Sequence, residues 1–63
     1  MDEITKTLHN MSDQLVDAIN DAEKFDAGNN SAGTRVRKAM QNIKNLAQLV
    51  RVEVQEQKNS VPA

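Results

Sequence analysis

The residues here that could do chemistry are few, and most are cations and amides. His9 is the single histidine and there is no cysteine, so thiolate nucleophiles, Cys/His pairs and thiolate metal sites are excluded. His9 and Asp13 lie four apart and could share a metal, but one imidazole and one carboxylate are too few ligands without symmetry. A solvated surface pair is the simpler reading. Asp13, Asp17 and Asp21 form an acidic ladder at steps of four. Calcium loops set their ligands on a tight glycine turn, not along a straight helix, so the ladder reads as a solvated face or one paired with bases of a neighbouring helix. A Ser-His-Asp set could be drawn only from open helix faces, with no pocket or oxyanion hole in prospect. No metal, cofactor or enzymatic activity is expected.

A regular polar row carries more weight. Arg37, Gln41, Lys44, Gln48, Arg51, Gln55 and Lys58 follow one another at alternating steps of four and three. Arg and Lys neutralise phosphates, and Gln can hydrogen-bond phosphate or sugar oxygens; none of these contacts reads base sequence. Arg35 and Lys38 thicken the cationic end near a helix N-terminus, a favourable place for an anion. Successive cations of the row are ~10.5 Å apart by the helical rise, so a straight helix touches a duplex along only part of its length. Phe25 is the only aromatic residue, which leaves nothing to interleave with the bases of a single strand. The row therefore reads either as a surface for double-stranded DNA or as a solvated, salt-bridged face.

The elements that must position these residues are helices. With 63 residues there is one domain at most, near the lower limit for folding alone. Hydrophobic burial set against ~1.5 kcal/mol of ordering entropy per residue comes out near zero at this size. Association with further copies, as a dimer or tetramer, is the simplest way to bury more surface. No basic-then-apolar leader follows Met1, and no apolar run approaches the ~20 residues of a membrane span, so a soluble intracellular protein is expected. The net charge of −1 hides a division: residues 1–28 hold seven acids and two lysines, residues 29–63 six bases and two acids. Either the halves pair across a hairpin, or the basic half faces an anion.

Ile4, Leu8, Met11, Leu15, Ala18, Ala22 and Phe25 recur at steps of four and three, the 3.5-residue repeat of a narrow coiled-coil-like seam. Ile19 widens it, as expected if more than one partner helix is covered. The spacing predicts a helix over residues 2–27, a turn over 28–31 centred on Gly28 and its Asn neighbours, and a second helix over 31–57. In that helix Ala32, Val36, Ala39, Ile43, Leu46 and Val50 form the seam, with Met40, Ala47 and Val54 widening it. Gly33 can admit a close neighbour. So short a connection makes an antiparallel hairpin, in which Phe25 meets the small Ala32. Residues 59–63, with Pro62, read as a flexible tail.

Around the turn the sequence reads Gly28-Asn29-Asn30-Ser31-Ala32-Gly33-Thr34-Arg35-Val36-Arg37-Lys38. This resembles the G-N-x-x-A-G-T-R-x-R-K pattern of the chlamydial-type linker-histone-like family of small proteins, found in bacteria and some viruses. The acidic amphipathic helix before it and the spaced Lys and Arg after it are similar to that family's helical segment too. The resemblance covers residues 1–58 and is specific only in the turn stretch. It implies sequence-independent DNA binding and compaction in a nucleoid or a packaged viral genome. Arg35, Arg37 and Lys38 would carry the binding, with Asn29, Gly33 and Thr34 shaping the turn. Members of the family follow the hairpin with a long Lys/Ala-rich tail, and these 63 residues contain no such stretch.

The expectation is thus an all-α, coiled-coil-like antiparallel hairpin over residues 1–58, dimerising into a four-helix bundle. Its oligomer and core positions are Leu8, Met11, Leu15, Val36, Ile43, Leu46 and Val50. Its DNA-binding positions are Arg35, Arg37, Lys38, Gln41, Lys44, Gln48, Arg51 and Lys58. The rival is a protein–protein assembly module whose basic row docks an acidic surface. The acidic ladder separates the two readings: lying against the row it would neutralise the cations, and diverging from it would leave them free.

Overall fold

The computed structural model of the chain describes residues 3–60, which form two helices: α1, Glu3–Asp26, and α2, Asn30–Ser60. They pack antiparallel as a hairpin, and no strand occurs among the described residues. The expected start of the first helix at residue 2 and the tail positions 61–63 lie outside the described residues. Asn59 and Ser60, expected in the tail, are the last residues of α2. No Pro or Gly interrupts the chain between Gly33 and Pro62, and the Gln55 amide donates to Asn59 Oδ1 at 3.3 Å across one turn.

Three residues make the reversal. Gly28 has a φ of 107°, a conformation that costs glycine nothing and that L side chains avoid. The Gly28 N–H donates to the Phe25 carbonyl and the Asn29 N–H to the Lys24 carbonyl, both at 2.9 Å. These are the two bonds of a Schellman C-cap. Asn29 at once opens the next helix: its Oδ1 accepts from the Ala32 N–H at 3.3 Å and the Ser31 hydroxyl at 2.8 Å, the N-cap arrangement. One residue closes α1 and starts α2, so no slack remains and the register between the helices is set.

That register is visible at three levels. The Thr7 hydroxyl proton is shared between the Glu3 carbonyl and the Glu53 carboxylate, each 3.0 Å away. Asp21 meets Arg35. Nearest the turn, the Phe25 ring lies over Gly33, one residue beyond the expected Ala32; a Cβ on Gly33 would sit 2.6 Å from two ring carbons. Residues facing each other thus have numbers summing to 56–60, and the C-terminal turns of α2 extend beyond the start of α1.

Among the described residues only Ala18 and Ala32 are buried apolar residues, and no large side chain is fully enclosed. On α2, Ala32 is buried, while Val36, Ala39, Ile43, Leu46 and Val50 are partly covered. On α1 the positions facing α2 are Ile4, Thr7, Met11, Gln14, Ala18 and Asp21. Leu8 and Leu15, expected in that seam, are each 49% exposed. The apolar stripe of α1 is wider than the strip one neighbouring helix can cover, and α1 is turned so that Leu8 and Leu15 fall beside the contact.

Candidate nucleic-acid interface

A hairpin of two helices has two broad sides, and here they differ in chemistry. Helical geometry places residues that share a heptad position in a line along one side. On one side run Leu8, Leu15 and Ala22 of α1 beside Gly33, Met40, Ala47 and Val54 of α2, each at steps of seven. Ala22, Phe25, Gly33 and Val36 line an open, largely apolar notch at the turn end of this side, whose lining also includes Asp26 and Arg37. On the other side a shallow groove is lined by Gln14, Asp17, Arg35, Lys38 and Asn42 around Ala39.

Arg37, Lys44, Arg51 and Lys58 occupy the line next to Met40, Ala47 and Val54, on the outer flank of α2. All four are exposed. They span 22 residues, or ~31 Å by the helical rise, and Gln41 and Gln48 lie exposed one line further round. None of the four cations has a carboxylate within 4.0 Å among the described residues, where Arg35–Asp21 is the ion pair present. The row is therefore an edge of four exposed cations without an ion pair among the described residues, with Asp26 sharing the notch beside its first member, Arg37.

The acidic ladder does not lie against it. Asp17 shares the polar groove with Lys38 and Arg35, and Asp21 accepts from Arg35 Nε at 2.9 Å. With Asp13 four residues before Asp17, the ladder runs along the opposite side of the hairpin from the row. The expected cationic cluster is divided accordingly. Arg35 is held by Asp21, Lys38 projects on the polar side, and Arg37 belongs to the free row. The identity of Arg35's partner was not legible in the sequence, because it depends on a register that only the folded turn establishes.

The turn stretch itself proves mostly structural in its geometry. Gly28 supplies the left-handed cap, Asn29 both caps, Ala32 the fully buried contact, Gly33 the seat for Phe25 and Arg35 the clasp to α1. Arg37 and Lys38 alone among its charged residues are left to meet something outside. Among the described residues no cluster of His, Cys, Asp or Glu could hold a metal ion, and no helix is long and apolar enough to cross a membrane.

No curated protein and no solved structure matches the chain. The model of one family, described as histone H1-like protein Hc1, matches residues 5–60, a span that takes in both helices and the whole of the turn. By that match the chain belongs to the histone H1-like protein Hc1 family.

Proposed function

We propose that this protein binds double-stranded DNA without sequence preference and compacts it, acting as an oligomer in a nucleoid or with a viral genome. It is a binding protein and not an enzyme. The observation that carries the reading is the unpaired edge formed by Arg37, Lys44, Arg51 and Lys58, set apart from the acidic ladder. Its mechanism is counterion release: each cation that meets a phosphate frees a condensed counterion, and phosphate contacts of this kind carry no base-sequence information. Gln41 and Gln48 add hydrogen bonds to phosphate or sugar oxygens. Lys38 is a secondary contact on the far side, and Arg35 contributes by holding α2 to α1. The family's description as histone H1-like supports the same reading.

A second reading, an assembly module that binds no DNA, is favoured by the uncovered apolar side. Charge reversal separates the two. Arg37→Glu with Lys44→Glu is expected to abolish binding to a short duplex while leaving helicity and oligomeric state unchanged. If the double variant dissociates or unfolds instead, the row is structural and the assembly reading holds.

A further inference from the structure

We propose that the apolar side of the hairpin lies flat on an anionic lipid surface, with its leucines at the acyl boundary and the cationic row among the headgroup phosphates. The inference goes beyond the DNA-binding reading and does not rest on it.

The chemistry bordering this side selects the partner. Along its middle run the apolar lines of α1 and α2, in which Leu8, Leu15, Met40 and Val54 are 40–49% exposed. Each line is bordered by an outer one, about 50° further round its helix. On α2 the border is the row Arg37, Lys44, Arg51 and Lys58. On α1 it is Thr5, Ser12, Ile19 and Asp26, so Asp26, at the turn end, is the one acid on the two borders. The acidic ladder is kept away: Asp17 lines the polar groove on the opposite side, and Asp21 is taken up by Arg35.

An apolar strip flanked by cations is the pattern of a helix that lies in a membrane interface. Its apolar side chains sink ~5–10 Å toward the acyl boundary, and long cationic side chains reach back to the headgroups. The shape permits this for both helices at once. The Cα trace measures 54 × 15 × 10 Å, a flat bar whose broad side can rest on a plane. No helix among the described residues is long and apolar enough to cross a membrane, so the hairpin lies on the bilayer.

Other occupants of this side satisfy only half of it. A duplex presents phosphates to the row but no apolar surface to cover Leu8 and Leu15. A second copy presents apolar lines, but its borders bring four more cations and one more acid, so the row gains no counter-charge. An anionic bilayer presents both chemistries side by side. Each Lys or Arg close to such a surface contributes about fivefold to partitioning.

The test is co-sedimentation of the whole chain, at low salt, with phosphatidylcholine vesicles that do or do not contain phosphatidylglycerol. Binding is expected to the anionic vesicles and not to the neutral ones. Lys44→Gln with Arg51→Gln is expected to weaken it about 25-fold, with helicity retained by circular dichroism. Equal binding to both vesicle types, no binding to either, or a folded double variant that binds like the parent overturns the proposal. Because the chain has no cysteine, Leu15→Cys and Asn42→Cys can each carry a polarity-sensitive fluorophore; Asn42 lines the polar groove. Anionic vesicles are expected to shift the Leu15 label to the blue and to leave the Asn42 label unchanged. Equal shifts at both positions overturn the orientation. A Leu15 label already shifted without lipid, and unmoved by vesicles, overturns the proposal by showing that a second copy covers this side.

Discussion

Two arginines two residues apart, Arg35 and Arg37, should fail in opposite ways, and that contrast probes the account closely. Arg35 donates to Asp21 at 2.9 Å, with the two side chains 49% and 21% exposed. Solvent screening at such exposure holds the pair to about 0.5 kcal/mol. For a chain of this size that corresponds to a melting shift of roughly 2–4 °C at fixed protein concentration. Arg37 has no carboxylate partner among the described residues and stands in the free row. Replacing it with Gln removes one of four cations on that edge. Each neutralised phosphate contributes ~0.9 to the slope of log affinity against log salt, so the slope should fall from about −3.6 to about −2.7. Between ~50 and ~200 mM salt the parent should then lose about 150-fold in affinity and Arg37→Gln about 40-fold. Thermal denaturation and duplex titration across salt, run on both variants, read the two effects separately. Arg35→Gln is expected to melt earlier with the slope kept, and Arg37→Gln to keep its melting point with the slope reduced. Reversed results, or equal loss of slope in both, would refute the division of the cationic cluster.

Other consequences are more local. Gly28→Ala forces a Cβ onto a backbone with φ of 107°; open space surrounds it, so the cost is backbone strain alone, about 1–2 kcal/mol by chemical denaturation. Asn29→Ala removes the side-chain cap on the Ala32 N–H and should cost about 1 kcal/mol, whereas Asn29→Asp, which keeps the acceptor at a helix N-terminus, should restore most of it. Gly33→Ala places a methyl where the Phe25 ring now lies. The half-exposed ring is expected to swing outward, visible as a shift of the Phe25 aromatic resonances with helicity retained.

Much of this fold is legible in the sequence because its determinants are local. Gly28 followed by two Asn residues marks the reversal, and the α2 seam from Ala32 to Val50 appears where the 3.5-residue repeat puts it. The α1 seam is the instructive exception. The apolar set 4, 8, 11, 15, 18, 22, 25 and the contacting set 4, 7, 11, 14, 18, 21, 25 have the same period and share every other member. Period alone cannot tell which edge of a wide stripe faces the neighbour; Thr7 finds Glu53 and Asp21 finds Arg35 only once the helices are side by side. The row of cations was legible as a row because it has the periodicity of the helix that carries it. Its separation from the acidic ladder was not, since that depends on how α1 is rotated against α2.

The most direct test of the central claim is binding of the whole chain to two short duplexes of unrelated sequence across a salt series. Equal affinity for both is expected, with a slope of about −3.6 from four neutralised phosphates. Absence of binding even at ~50 mM salt, where electrostatic association is strong, or a marked preference for one sequence, would contradict it.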